Sequence, residues 1–159
     1  KRSSPHPALA SVPRQPATAL WRAMERAQAA QVLMLMGSAA CGFSIYMTFM
    51  HALAESFEAP NYKKGRKHPR YHAFRGGTLA MGAVAMLNTT VHAPEADRSP
   101  TLWRVAAITA AGYFGGWWAP KPYLGLKAPT WTAEAVHILA ASCCCGALWL
   151  VRPSFYRTA

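Results

Sequence analysis

Charge in this chain is confined to a few short intervals. Apart from Glu134, every Lys, Arg, Asp and Glu lies before residue 27, within 55–75, within 95–104, within 121–127 or after 151. Between them stand four apolar stretches, 29–54, 76–91, 102–118 and 131–151, of which only the third carries a basic residue, Arg104. Stretches of this kind suit hydrocarbon, where each peptide group must find its hydrogen bond within the chain, and an uncharged segment then becomes a helix. The expected fold is an all-α integral membrane protein of about four transmembrane helices. Composition agrees, because 14% of residues are charged against roughly 25% in a typical soluble domain, too few to cover a globule in water.

The four stretches differ in strength. The first, at 1.5 Å per residue, would be about 39 Å long and exceeds a hydrocarbon layer of roughly 30 Å. The last ends at Arg152-Pro153 and has a spanning length. The middle two would reach only about 24 and 26 Å. They lean on Ala and Gly, and Asn88, Thr89 and Thr90 add polar groups that lipid penalises unless a neighbouring helix accepts them. A soluble helical hairpin or a re-entrant pair is the alternative for these two. Trp103, Trp117, Trp118, Trp131 and Trp149 stand at or near the proposed ends, where an indole keeps its N–H in the interface and its ring in the acyl region. The linker 119–130, with Pro120, Pro122, Gly125 and Pro129, reads as an irregular turn.

Ahead of the spans, residues 1–18 form an extended tail rich in Pro and basic residues, with Thr18 expected to cap the helix that follows. Residues 19–159 form one helical membrane domain, entered through an amphipathic lead-in at 19–31. The tail contains Lys1, Arg2 and Arg14, serines and no acid, a bias that resembles the remnant of an organellar targeting segment. The expected location is the mitochondrial inner membrane, with the plastid thylakoid membrane as the alternative.

The net charge of +11 could point to nucleic acid, but its main cluster, Lys63, Lys64, Arg66, Lys67, Arg70 and Arg75, lies between two apolar segments. There it faces lipid head groups, such as those of cardiolipin, or an acidic partner. Nucleic-acid binding is not expected. The rule of positive residues inside does not orient the chain, because one side would carry nine Lys or Arg and the other eight. Cys41 and the run Cys143, Cys144, Cys145 fall within apolar segments and lack zinc-site spacing, so they read as small buried fillers.

Association of helices in lipid rests on close packing, which favours small residues on contact faces. Ala107, Ala111 and Gly115 repeat at steps of four, with Gly112 and Gly116 beside them; Gly37 and Cys41, and Gly76 and Ala80, do the same in other segments. Spans this poor in Leu and Ile call for lateral packing against other membrane subunits, with the linker and tail clasping soluble parts of the same assembly.

Ionisable groups within spans are functional candidates by default, and here they are His51, His92, Glu134 and His137. If residues 54 and 131 lie at one face, His51 sits about 5 Å and His137 about 9 Å below it. Two imidazoles at similar depth could ligate a b-type haem; the plainer reading has His137 bonded to Glu134 one turn earlier. Glu134-Ala-Val-His137 has the Glu-x-x-His form of di-iron bundles, but the single copy leaves too few carboxylates. No Ser, His and acid arrangement or phosphate loop has a usable context. Ser3-Ser4-Pro5-His6 resembles the Ser-Pro-His near the start of the cytochrome b anchor subunits of succinate dehydrogenase. That family has a Ser and an Arg opening its first span and a haem histidine in its second, whereas this chain has Ala29-Ala30-Gln31 and, only past the second span, His92. The expected function is therefore a non-catalytic accessory subunit that stabilises a large energy-transducing complex, of the respiratory chain or an ATP synthase. The alternative is a haem- or quinone-binding membrane anchor that uses His51 and His137.

Overall fold

The computed structural model describes residues 17–54, 58, 65, 67–126 and 128–156; the tail up to residue 16, and Lys63, Lys64 and Arg66 of the basic linker, lie outside them. The described residues are helical and contain no strand. They comprise α1 (Ala17–Leu53), α2 (His68–Val91), a 3-10 turn at Glu95–Asp97, α3 (Pro100–Trp118), α4 (Pro120–Leu124) and α5 (Trp131–Phe155).

Helix α1 is unbroken over 37 residues, about 56 Å at the standard rise. Its lead-in and apolar stretch join without a kink, because no Gly or Pro interrupts residues 17–36. It begins at Ala17, so Thr18 lies within the first turn rather than capping it. Helix α2 starts at His68, two turns ahead of the apolar stretch. Pro69 occupies its first turn, where no amide donor is required, and the chain there continues as a helix through Arg70 and Arg75. It stops ahead of Ala93-Pro94, since a proline disfavours helical backbone in the residue before it.

Capping sets the next two starts. Ser99, in extended backbone, accepts from the Leu102 amide at 3.2 Å, and Thr130 does the same from the Ala133 amide at 3.1 Å. The linker after α3 corrects the expectation of an irregular turn. Pro120 and Pro122 both fall in the first turn of the short helix α4, where their missing amides cost nothing. That helix ends on Gly125, whose φ of 65° is the left-handed conformation that glycine adopts freely. Helix α5 also runs past Arg152-Pro153 to Phe155, where the Ser154 hydroxyl donates to the Val151 carbonyl at 2.7 Å.

The four long helices alternate in direction. Gly37 faces Cys144, and Leu33 faces Gly146, so α1 is antiparallel to α5. Phe49 meets Gly77 and Ser38 meets Asn88, so α1 is antiparallel to α2 as well. On α3, the Trp103 indole N–H donates to the Leu148 carbonyl at 3.0 Å and Trp118 reaches Glu134. One end of the bundle thus gathers residues 51–54, 68–72, 118 and 131. The other gathers 91–93, 100–103 and 148–155.

Size is distributed from small inside to large outside. Ala30, Cys41, Ala106, Ala110, Ala140, Cys144 and Ala147 are buried, with Met34, Leu87, Phe114 and Phe155 among the larger side chains of the core. The Cys41 thiol faces Cys144 and the Tyr113 hydroxyl, and Cys145 is exposed. By contrast Leu35, Leu79 and Ile108 are 62, 65 and 73% exposed. Two helices are long and apolar enough to cross a membrane, over Met24–Leu53 and Trp131–Phe155; α2 and α3 fall short of that test.

Candidate functional site

His51 and His137 come together. Both line a cleft of about 180 Å³ between the C-terminal end of α1 and the start of α5, whose walls include Phe43, Met47, Thr48 and Pro129. Residues 44, 47, 48 and 51 share one stripe of α1 by helical periodicity, as do 133, 136 and 137 on α5. The imidazole of His137 has specific neighbours. Its Nε2 lies 3.3 Å from the Ser44 hydroxyl, and its ring stacks on Trp117 of α3 with centroids 4.2 Å apart and planes at 30°. Three helices therefore fix this one side chain.

The plainer expectation for His137 is corrected here. Glu134 does not bond to it; Glu134 Oε1 accepts from the Trp118 indole N–H at 2.8 Å. The carboxylate thus ties α5 to α3, while the imidazole ties α5 to α1. Ser44 and His137 are hydrogen-bonded without an acid partner on the imidazole among the described residues, so the pair lacks the third group that orients the base in hydrolytic triads.

The fit to a haem can be tested on this geometry. A cleft of about 180 Å³ is smaller than the roughly 300–1,000 Å³ of ordinary small-molecule sites. With Ser44 against one edge of His137 and Trp117 against its face, a tetrapyrrole does not fit in the packing described. Among the described residues no group of three or more His, Cys, Asp or Glu could hold a metal ion. His92 lies at the opposite end, its Nδ1 3.0 Å from the Asn88 carbonyl.

The basic cluster divides. Arg70 is engaged within the chain: its Nε donates to the Ala52 carbonyl at 2.6 Å and Nη2 to the Leu53 carbonyl at 2.7 Å, while Nη1 pairs with Glu58 at 3.0 Å. It caps the last turn of α1, whose carbonyls have no intrahelical partner. Lys67 and Arg75 are exposed. His68 and His72, one turn apart, bring their Nε2 atoms to 2.8 Å. Sequence reading missed the roles of Ser44, Trp117 and Arg70. A hydroxyl in an apolar helix near the depth of an imidazole is the available signal for Ser44, and Thr48 shares it.

No protein-family model matches the chain, and no curated protein or solved structure is significantly similar to it.

Proposed function

We propose that the chain is a non-catalytic accessory subunit of a large energy-transducing complex, with its four long helices embedded in the mitochondrial inner membrane. The observation that carries this reading is the reversed distribution of side-chain size. A core in which Ala and Cys outnumber the larger side chains contributes little apolar burial, since each methylene is worth only about 0.8 kcal/mol. Large apolar side chains such as Leu35, Leu79 and Ile108 point away from it. In water such a bundle would stabilise itself poorly and expose a broad apolar surface, which in soluble proteins marks an interaction or membrane site.

Helices α2 and α3 cross the membrane beside the two more apolar ones, because α1 and α5 cover part of their polar surface: Asn88 bonds to Ser38 at 2.7 Å and Trp103 to the Leu148 carbonyl. Polar contacts of this kind join helices in lipid. The outward faces also carry small residues, since Gly112, Gly115 and Gly116 would meet nothing with an added Cβ. They are available to helices of neighbouring subunits. Lys67 and Arg75 project where lipid phosphates of the cardiolipin type would lie.

Mild detergent extraction, a native gel and mass spectrometry test the proposal. Migration with a large assembly containing other membrane subunits is expected; a solitary stable monomer would overturn it. The second reading, a quinone-binding anchor, is supported by the meeting of His51 and His137 in one cleft. It requires that His137→Ala remove one quinone per complex.

A further inference from the structure

Beyond the Arg70 contacts at the end of α1, helices α1 and α2 meet at two further places. Near one end Phe49 lies against Gly77, where an added Cβ would come within 2.9 Å of its ring, and against Phe74, with ring centroids 5.0 Å apart. Near the other, Asn88 Nδ2 donates to Ser38 Oγ at 2.7 Å. Between these contacts lies a groove of about 550 Å³, lined by Gly42, Ile45, Tyr46, Met81 and Val84. That volume falls within the range of small-molecule sites, which are mostly apolar with a few converging polar groups.

The polar groups here are unequal in what they leave over. Both amide protons of Asn88 are engaged, one with Ser38 and the other with the Val84 carbonyl at 2.9 Å. Its Oδ1 receives no donor among the described residues, and the Ser38 hydroxyl proton finds no acceptor among them. Ser38 lies 9 residues from the start and 16 from the end of the apolar stretch 29–54. Water is scarce at that depth, and an unused donor or acceptor there costs free energy. An acceptor and a donor side by side are complemented by one group that both donates and accepts, which is a hydroxyl.

We infer that the α1–α2 groove binds a neutral lipophile bearing a hydroxyl group, with the hydroxyl donating to Asn88 Oδ1 and accepting from Ser38, and the apolar body lying along Ile45, Tyr46, Met81 and Val84. This site is separate from the His51–His137 cleft. Gly42 keeps the groove open, since a Cβ there would meet nothing within 4 Å.

The test uses the chain in the membrane that holds it, with a long-chain alcohol carrying a diazirine midway along its chain, and the matching alkane without the hydroxyl. Photolabelling by the alcohol is expected on Ile45, Met81 and Val84. It should fall about tenfold for the alkane, which makes neither hydrogen bond, and severalfold for Asn88→Leu, which removes one of the two. Gly42→Leu, which fills the groove without pressing on the fold, should abolish labelling even if Asn88→Leu fails to fold. Equal labelling by alcohol and alkane would overturn the inference, leaving the groove a seat for acyl chains. Labelling undiminished in Gly42→Leu, or cross-links from the groove to a neighbouring polypeptide in place of the probe, would overturn it too.

Discussion

Helix α1 presents two seams, and they are built on different rules. Against α5 it is closed: Gly37 leaves so little room that an added Cβ would lie 2.5 Å from Cys144 Sγ, and Cys41, Cys144 and Ala140 are buried beside it. Against α2 it is propped open, with an aromatic contact at one end, an amide at the other and a groove between them. Both seams run along one straight helix, so backbone shape does not separate them. Side-chain size does. Where small residues face each other the seam is filled, and beside Ile45, Tyr46, Met81 and Val84 a groove remains.

This contrast can be broken in a graded series. Gly37→Leu should do the greatest damage, because its side chain has no space between α1 and α5. A loss of about 3 kcal/mol, the upper part of the overpacking range, would appear as a lower melting temperature in detergent. Arg70→Ala should come next, at about 2 kcal/mol, since it strips two carbonyls of α1 of their partner and removes the ion pair with Glu58. Faster amide exchange at residues 50–54 would locate the effect. Arg70→Lys should restore less than half, because an ammonium cannot reproduce the forked geometry.

Asn88→Ala removes the polar strut of the open seam and should cost about 0.6 kcal/mol, typical of interhelical hydrogen bonds in membranes, again read as a melting shift. Gly42→Leu should change stability by no more than a few tenths of a kcal/mol, within the ordinary range for substitutions away from packed features. Were Gly37→Leu and Gly42→Leu to destabilise equally, the distinction between the two seams would be lost.

The sequence made the helices visible because charge and proline bound them. The bounds it blurred were those set by capping. Helix α2 gains two turns because Pro69 starts it, and Pro120 and Pro122 make the first turn of α4 where an irregular linker was expected. Relative depth was legible too: a fixed rise per residue places His51 and His137 near one level, and they share a cleft. Rotation about each helix axis was not. The small stripe of α3 illustrates this, for Ala111 and Gly115 are exposed and the buried face is Ala106, Ala110 and Phe114. Phe114 turns inward with Trp117, their rings 5.1 Å apart, and Trp117 in turn covers His137. Those long-range aromatic contacts decide which side of α3 faces α5, and no local pattern encodes them.

The length of α1 has a mechanical consequence. Residue 26 is level with Phe155 if the facing of Gly37 and Cys144 is extended at equal rise, so the first two to three turns of α1 stand beyond the bundle. They bear Trp21, 64% exposed, on a rod with no joint before Gly37. A rod transmits torsion: inserting a single residue between 27 and 28 would swing Trp21 through about 100° while lifting it only about 1.5 Å. A partner that gripped that indole would thereby be indexed to the compass bearing of the helices in the bundle.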